Sequence, residues 1–103
     1  MATSIVQYKL PPSIGRLECG DHFRKIAGGF SEARGLRKQF IWNENGAAGG
    51  VYQRETVEDG KRFYQAPWLN GFRQRYGQYP EVEYFNTLVV AENPGGIVTA
   101  LDV

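Results

Sequence analysis

His22 is the only histidine of the chain, and its imidazole is the first side chain to consider for chemistry because it titrates near neutral pH. Cys19 stands three residues before it. Two side chains are too few for a metal site, which needs three or four protein ligands. We therefore predict no metal, and we predict that His22 is a catalytic base. The alternatives are a haem ligand and a structural or half-exposed position beside the apolar stripe of a helix.

Aromatic side chains with polar tips are the second candidate group, since the sequence has six tyrosines and two tryptophans. Such rings make good core, but a domain of 103 residues cannot easily bury every indole N–H and phenol O–H without partners. A pocket with aromatic walls and a few hydroxyl groups suits a small planar phenolic molecule. The predicted substrate-binding residues are Trp42, Tyr52, Tyr64, Trp68 and Tyr76.

Basic residues near these rings could recognise an anion, but we predict that they are surface or dimer-seam charges. Their expected partners are Glu55, Glu81 and Glu83, and the basic residues are Lys38, Arg54, Arg73 and Arg75. The sequence contains neither a glycine-rich dinucleotide fingerprint after a strand nor a P-loop. We therefore predict no cofactor.

The composition limits the class of protein. With 103 residues, 42% of them hydrophobic, residues 1–103 are expected to form a single globular domain. A net charge of +1 gives no basic footprint for nucleic acid. One cysteine excludes an intramolecular disulfide, and neither a signal peptide nor a membrane-spanning run is visible. The expected location is the cytoplasm, without nucleic-acid or membrane partners.

The elements that must position these side chains follow from the hydrophobic periodicity. Alternating residues predict strands over 4–10, 36–42, 49–55 and 81–90, and Asn45-Gly46 predicts a hairpin between the middle two. A stripe of period 3.6 predicts a helix over 18–30. Thr56 is a predicted N-cap, and Pro67 separates that helix from a second over 68–76. The order β-α-β-β-α-β is an α+β, ferredoxin-like arrangement with a four-stranded antiparallel sheet.

Helices can cover only one face of such a sheet. The second face mixes Ile and Val with Gln and Arg, so we expect a homodimer that packs sheet against sheet. The apolar tail over 97–103 is a candidate arm across the seam. The alternative is a monomer with a partly polar open face.

Short motifs between residues 23 and 93 resemble a known family in their order and spacing. The motifs are Gly35-Leu-Arg-Lys-Gln-Phe40, Gly49-Gly-Val-Tyr52, Phe63-Tyr64, Trp68, Arg75-Tyr-Gly77 and Pro80-x-Val82-x-Tyr84-Phe85. They resemble the YdhR-like family of mono-oxygenases, within the antibiotic-biosynthesis monooxygenase superfamily. The resemblance implies a dimeric α/β barrel with a pocket between sheet and helices in each subunit. It also implies that Gly49-Gly50 let one backbone approach another, the alternative being direct contact with a ligand.

The resemblance further implies cofactor-independent mono-oxygenation of a small aromatic or polyketide-like substrate. Such oxygenases remove a proton from the substrate so that its anion reacts with dioxygen, a step in which His22 would be the base. Haem-degrading members of the superfamily place their axial histidine later in the chain, where this sequence has none. Because one fold hosts many functions, the alternative is a non-catalytic small-ligand-binding or structural homodimer.

Overall fold

Helices and strands follow the predicted order, with one addition at the end. The computed structural model describes residues 1–30 and 35–101. In this part of the chain the elements are β1 (Ala2–Lys9), α1 (Arg16–Ala27), β2 (Arg37–Trp42), β3 (Ala47–Arg54), α2 (Val57–Phe63), α3 (Ala66–Tyr76), β4 (Glu81–Asn86), β5 (Val89–Glu92) and β6 (Ile97–Ala100). No helix of these residues has the length and apolarity to cross a membrane.

The main sheet has four strands in the order β2-β3-β1-β4, and each neighbouring pair is antiparallel. β1 lies in the centre, with Val6 opposite Gly50 of β3 on one side and opposite Val82 of β4 on the other. The fold is therefore α+β with a four-stranded antiparallel sheet and three described helices, which is compatible with the predicted ferredoxin-like arrangement.

Strict alternation along β1 separates the two faces of the sheet. Ala2, Ser4, Val6 and Tyr8 are buried on the face that the helices cover. Their neighbours on the other face are more exposed, as expected for a sheet that is packed on one side only. The register places Lys38, Phe40 and Trp42 of β2 on the helix-covered face as well.

Local signals account for the ends of several elements. Asn43 Oδ1 accepts hydrogen bonds from the backbone N–H groups of Asn45 and Ala47, at 3.0 Å each, which closes the hairpin between β2 and β3. Thr56 Oγ1 caps α2 by accepting from the Asp59 N–H at 3.1 Å. Gly77 ends α3 in the left-handed region at φ 74°.

Gly49 is where β3 comes closest to β1. A Cβ added there would lie 1.8 Å from the Val6 carbonyl oxygen, so no side chain fits without moving the backbone. This is the close approach of two backbones that the sequence predicts. At Gly50 the nearest atoms to an added Cβ belong instead to the side chains of Lys38, at 2.9 Å, and Tyr52, at 3.0 Å.

The predicted last strand over 81–90 is interrupted. β4 ends at Asn86, and the Thr87 N–H donates to the Met1 carbonyl at 2.9 Å. The chain then forms a separate two-stranded hairpin from β5 and β6, so the segment expected to be a tail is a strand through Ala100. Residues 102–103 of the predicted tail lie outside the described residues. The hairpin exposes apolar side chains, among them Leu88, Val89, Ile97 and Val98.

The helix-covered face holds two groups of packed side chains. We call the first the Tyr52 cluster; its buried members are Val6, Tyr52 and Tyr64. We call the second the Tyr8 cluster; its buried members are Tyr8, Cys19 and Ala48. Trp68 packs against the first cluster and Phe72 against the second, and their rings lie 5.4 Å apart, so α3 joins the two.

Candidate functional site

A cavity of about 110 Å³ lies between the sheet and the helices, where the two clusters meet. The sheet supplies one wall, formed by Val6, Tyr8, Gly49, Gly50 and Tyr52. Helices α1 and α3 supply the opposite wall, formed by Phe23, Ile26, Trp68, Phe72, Arg75 and Tyr76. The cavity is therefore mainly aromatic, as expected of a site for a flat organic molecule.

His22 reaches this cavity through Tyr76. Its Nε2 lies 2.7 Å from the Tyr76 hydroxyl, a hydrogen-bond distance, and the two rings meet edge to face. Tyr76 itself lines the cavity, whereas His22 stands behind it on α1. The arrangement places a titratable imidazole one hydrogen bond away from a hydroxyl in the cavity wall.

The surroundings of His22 favour its neutral form. Burial lowers the pKa of His22 below its ordinary value, and the positive charges of Arg75, Lys25 and Lys38 lower it further. A neutral imidazole can accept a proton, so His22 is available as a base at neutral pH. Tyr8, whose ring centroid lies 4.7 Å from that of Tyr76, has its pKa raised, chiefly by burial, and stays a neutral phenol.

Two positive charges belong to the cavity wall. Lys38 Nζ lies 4.1 Å from the centroid of the Phe40 ring and 4.6 Å from that of Tyr52. Arg75 is exposed, so its charge lies where the cavity meets solvent. Both cations would favour a ligand that becomes negatively charged inside the cavity.

The cavity brings together three of the predicted substrate-binding residues, Tyr52, Trp68 and Tyr76. Trp42 lies outside its lining, on β2, where its indole Nε1 is buried without a hydrogen-bond partner among the described residues. Tyr64 also lies outside, as the C-cap residue of α2, with its ring 5.6 Å from Tyr52 and 4.7 Å from Trp68.

The basic residues are distributed differently from the prediction. Arg54 is 4% exposed, so it is a buried cation rather than a surface charge. The predicted pairs with Glu55, Glu81 and Glu83 do not form; the ion pairs between described residues are Arg24–Asp21 and Arg62–Asp59. The register of β3 explains the burial, since Arg54 lies on the same face as Ala48 and Tyr52. Counting alternate residues along this strand would have revealed it.

Within residues 1–30 and 35–101 there is no group of three or more His, Cys, Asp or Glu side chains that could hold a metal ion. Cys19 is a buried thiol whose pKa is raised by burial. It is therefore a packed side chain rather than a reactive one.

Comparison with known proteins gives no match for this chain among protein-family models, curated proteins or solved structures.

Proposed function

We propose that the protein is a cofactor-independent mono-oxygenase of a small single-ring phenol, with the dimeric α/β-barrel organisation of the YdhR-like family. The observation that carries the proposal is the 2.7 Å hydrogen bond between His22 Nε2 and the Tyr76 hydroxyl in the wall of an aromatic cavity. It supplies the one group that such chemistry requires, a base within reach of a bound phenol.

The size of the cavity narrows the substrate class. A dry apolar cavity of ~150 Å³ in another protein binds benzene. The cavity of about 110 Å³ is of that order, so it suits one ring better than the fused rings of a polyketide. Tyr52, Trp68 and Phe72 would pack against the faces and edges of that ring.

The proton would leave the substrate in two coupled transfers. The substrate hydroxyl gives its proton to Tyr76 Oη while the Tyr76 proton passes to His22 Nε2, which becomes imidazolium. The positive charges of Lys38 and Arg75 stabilise the resulting phenolate. The same charges lower the pKa of His22. They therefore weaken His22 as a base, while they favour ionisation of the substrate phenol.

The electron count indicates which phenols qualify. Without a cofactor the substrate must supply all four electrons that reduce dioxygen. A 1,4-hydroquinone can do so: one oxygen atom bonds to a ring carbon, the O–O bond breaks, and the other oxygen leaves with two hydrogens as water. The product is a hydroxyquinone, and atoms and electrons balance. A phenol with an unsubstituted para carbon also balances if its product is the 1,4-quinone, whereas hydroxylation that stops at a dihydroxybenzene would need an external reductant. The second hydroxyl group of a hydroquinone makes its anion the easier one to oxidise, so we propose a hydroquinone-class substrate.

Oxygen uptake with 1,4-hydroquinone tests this proposal, with the rate of autoxidation in buffer subtracted. Tyr76→Phe removes the relay hydroxyl, and we expect kcat/KM to fall by about 10²–10⁴-fold, the usual range for acid–base catalysis. Tyr79→Phe is the matched control, because Tyr79 is 53% exposed and lies outside the cavity lining. With ¹⁸O₂, one labelled atom should appear in the product and one in water.

Equal rates for the Tyr76 and Tyr79 variants would contradict the relay. Binding of hydroquinone without oxygen uptake above the buffer rate would instead favour the alternative, a non-catalytic small-ligand-binding homodimer. The aromatic walls of the cavity support that alternative as well, since they could bind an aromatic ring without catalysing a reaction.

The proposal includes a homodimer. Two observations support it: the open face of the main sheet carries Ile5, Val51 and Phe85 among polar residues, and the β5–β6 hairpin exposes Ile97 and Val98 at 57% and 67%. A second copy could cover both surfaces. Light scattering should give twice the chain mass of 11.6 kDa. A mass of one chain at micromolar concentration would contradict the dimer.

A further inference from the structure

Arg54 is a buried cation without a negatively charged partner among the described residues. Its side chain lies under α2 on the helix-covered face of β3 and is 4% exposed. A guanidinium cannot lose its charge in a protein, so burial does not neutralise it. A buried charge is normally paired, because removing it from water is unfavourable by several kcal/mol.

Aromatic rings supply part of the compensation. The Arg54 Cζ atom lies 4.4 Å from the ring centroid of Phe63, 5.2 Å from that of Tyr64 and 5.7 Å from that of Tyr52. Cation–π contacts of this kind stabilise a guanidinium through the faces of the rings. They do not satisfy the N–H groups, which point outward in the guanidinium plane and need acceptors.

Two of those donors have no acceptor. Arg54 Nε and Nη2 are buried and make no hydrogen bond with any described residue. These two nitrogens lie on one edge of the guanidinium, with their N–H bonds nearly parallel, and this is the fork that donates to both oxygens of a carboxylate. The buried Tyr64 hydroxyl lies beside them: burial raises the pKa of Tyr64 to about 12, and the Arg54 side chain, as a hydrogen-bond donor and as a charge, counteracts that rise.

An open cleft of about 470 Å³ lies beside this group. Arg54 forms part of its lining, together with Leu36, Glu55, Asp59 and Phe63. Asp59 is already paired with Arg62. Glu55 contributes a further negative charge, which disfavours a ligand with two or more charges.

We propose that Arg54 is a receptor for a small monocarboxylate, which binds through Nε and Nη2 with the Tyr64 hydroxyl as a third donor. The ligand enters through this cleft, and its carboxylate supplies the missing counter-charge. The site is independent of the proposed oxygenase cavity, because Phe63 is the one described residue that lines both.

Calorimetric titration with sodium benzoate and sodium acetate, at constant ionic strength, tests the proposal. We expect saturable binding of both anions to the wild type, and no binding of benzamide, which has the shape of benzoate without its charge. Arg54→Met should weaken benzoate binding at least tenfold. Arg24→Met is the matched control: it removes the same charge, but from an exposed arginine on α1, and should leave the affinity unchanged.

Arg54→Lys keeps the positive charge but removes the two parallel N–H donors. It replaces Arg54→Met in the binding experiment if the methionine variant does not fold. Weakened binding in Arg54→Lys supports the two-pronged contact. Equal affinity in the wild type and both Arg54 variants overturns the proposal. So does an Arg54→Met effect that is confined to the dimer dissociation constant, since the carboxylate would then come from a second copy. Hydroquinone oxidation remains a separate readout, so either proposal can fail alone.

Discussion

Two regions of this protein place a nitrogen-bearing side chain beside a tyrosine hydroxyl, with opposite outcomes. In the first, His22 and Tyr76 form a 2.7 Å hydrogen bond beside the cavity. In the second, Arg54 and Tyr64 lie together under α2, and Arg54 Nε and Nη2 are buried without a hydrogen-bond acceptor among the described residues. The first region is a closed hydrogen-bonded pair, while in the second the guanidinium has no negatively charged partner among the described residues.

The chemistry of the two nitrogen groups explains the difference. Imidazole can be neutral and can accept, so the hydroxyl of Tyr76 satisfies it. Guanidinium has donors only and stays charged, so a protonated phenol can accept a hydrogen bond from it but cannot balance its charge. Under the two proposals, the Arg54 region would bind an anion, whereas the His22–Tyr76 pair would take a proton from its substrate.

The largest expected effect on the free energy of unfolding comes from a change in β1 and β3, the strand pair that both regions share. Gly49→Ala would put a Cβ at 1.8 Å from the Val6 carbonyl oxygen, so β1 and β3 must separate. We expect a loss of unfolding free energy beyond the ~1–3 kcal/mol that is typical of overpacking. Denaturant unfolding measures it, and both regions should lose their order together.

Gly71→Ala is the control for this variant. Gly71 lies in α3, and an added Cβ there meets nothing within 4 Å. Alanine should stabilise this helix by about 0.5–1 kcal/mol. If Gly49→Ala were no more destabilising than Gly71→Ala, the close contact at Gly49 would be contradicted.

Removing a polar group should affect stability differently in the two regions. Without added ligand, Arg54→Met eliminates a buried uncompensated cation, so we expect stability unchanged or increased by up to about 4 kcal/mol. Tyr76→Phe breaks a satisfied hydrogen bond and should decrease stability by about 1 kcal/mol. Thermal unfolding of both variants in ligand-free buffer provides the measurement. A large loss for Arg54→Met would mean that its charge is already compensated.

The smallest expected effect is the pH dependence of stability that His22 causes. The folded state lowers the pKa of His22, first by burial and then through Arg75, Lys25 and Lys38, so the proton binds better to the unfolded chain. The contribution of His22 to stability is therefore complete above its unfolded pKa of roughly 6.5, and it decreases as the pH falls toward the lower folded pKa. The stability difference between wild type and His22→Gln should follow this trend.

The Arg54 region provides the contrast for that experiment. Guanidinium does not titrate near neutrality, so the difference between wild type and Arg54→Met should be flat over the same pH range. A sloping difference at Arg54, or a flat one at His22, would remove the distinction between the two regions.

Short-range signals predicted most of the fold. Asn45-Gly46, the Thr56 cap and Gly77 act within a few residues, and all three end or join elements where expected. The predicted strand over 81–90 is interrupted at residues 87 and 88, where the Thr87 N–H donates to the Met1 carbonyl at the other end of the chain. No window of local sequence contains that contact.

The candidate site was predictable in its residue types but not in its pairings. His22 and Tyr76 were both candidates, yet their hydrogen bond requires α1 and α3 to lie side by side on the sheet. Arg54 was expected at the surface because charged residues usually are. The strand register buries Arg54 nevertheless, because it lies on the same face of β3 as the buried Tyr52. The alternation of residues along β3 predicts this placement.

The β5–β6 hairpin has a consequence for exchange of amide protons with solvent. It forms a sheet of its own, and an isolated two-stranded hairpin is only marginally stable in water. Its backbone amides should therefore exchange with deuterium far faster than those of β1, unless another surface covers them. If the proposed homodimer covers the hairpin, the protection of Val98 and Thr99 should rise with protein concentration; protection that is independent of concentration would contradict that cover.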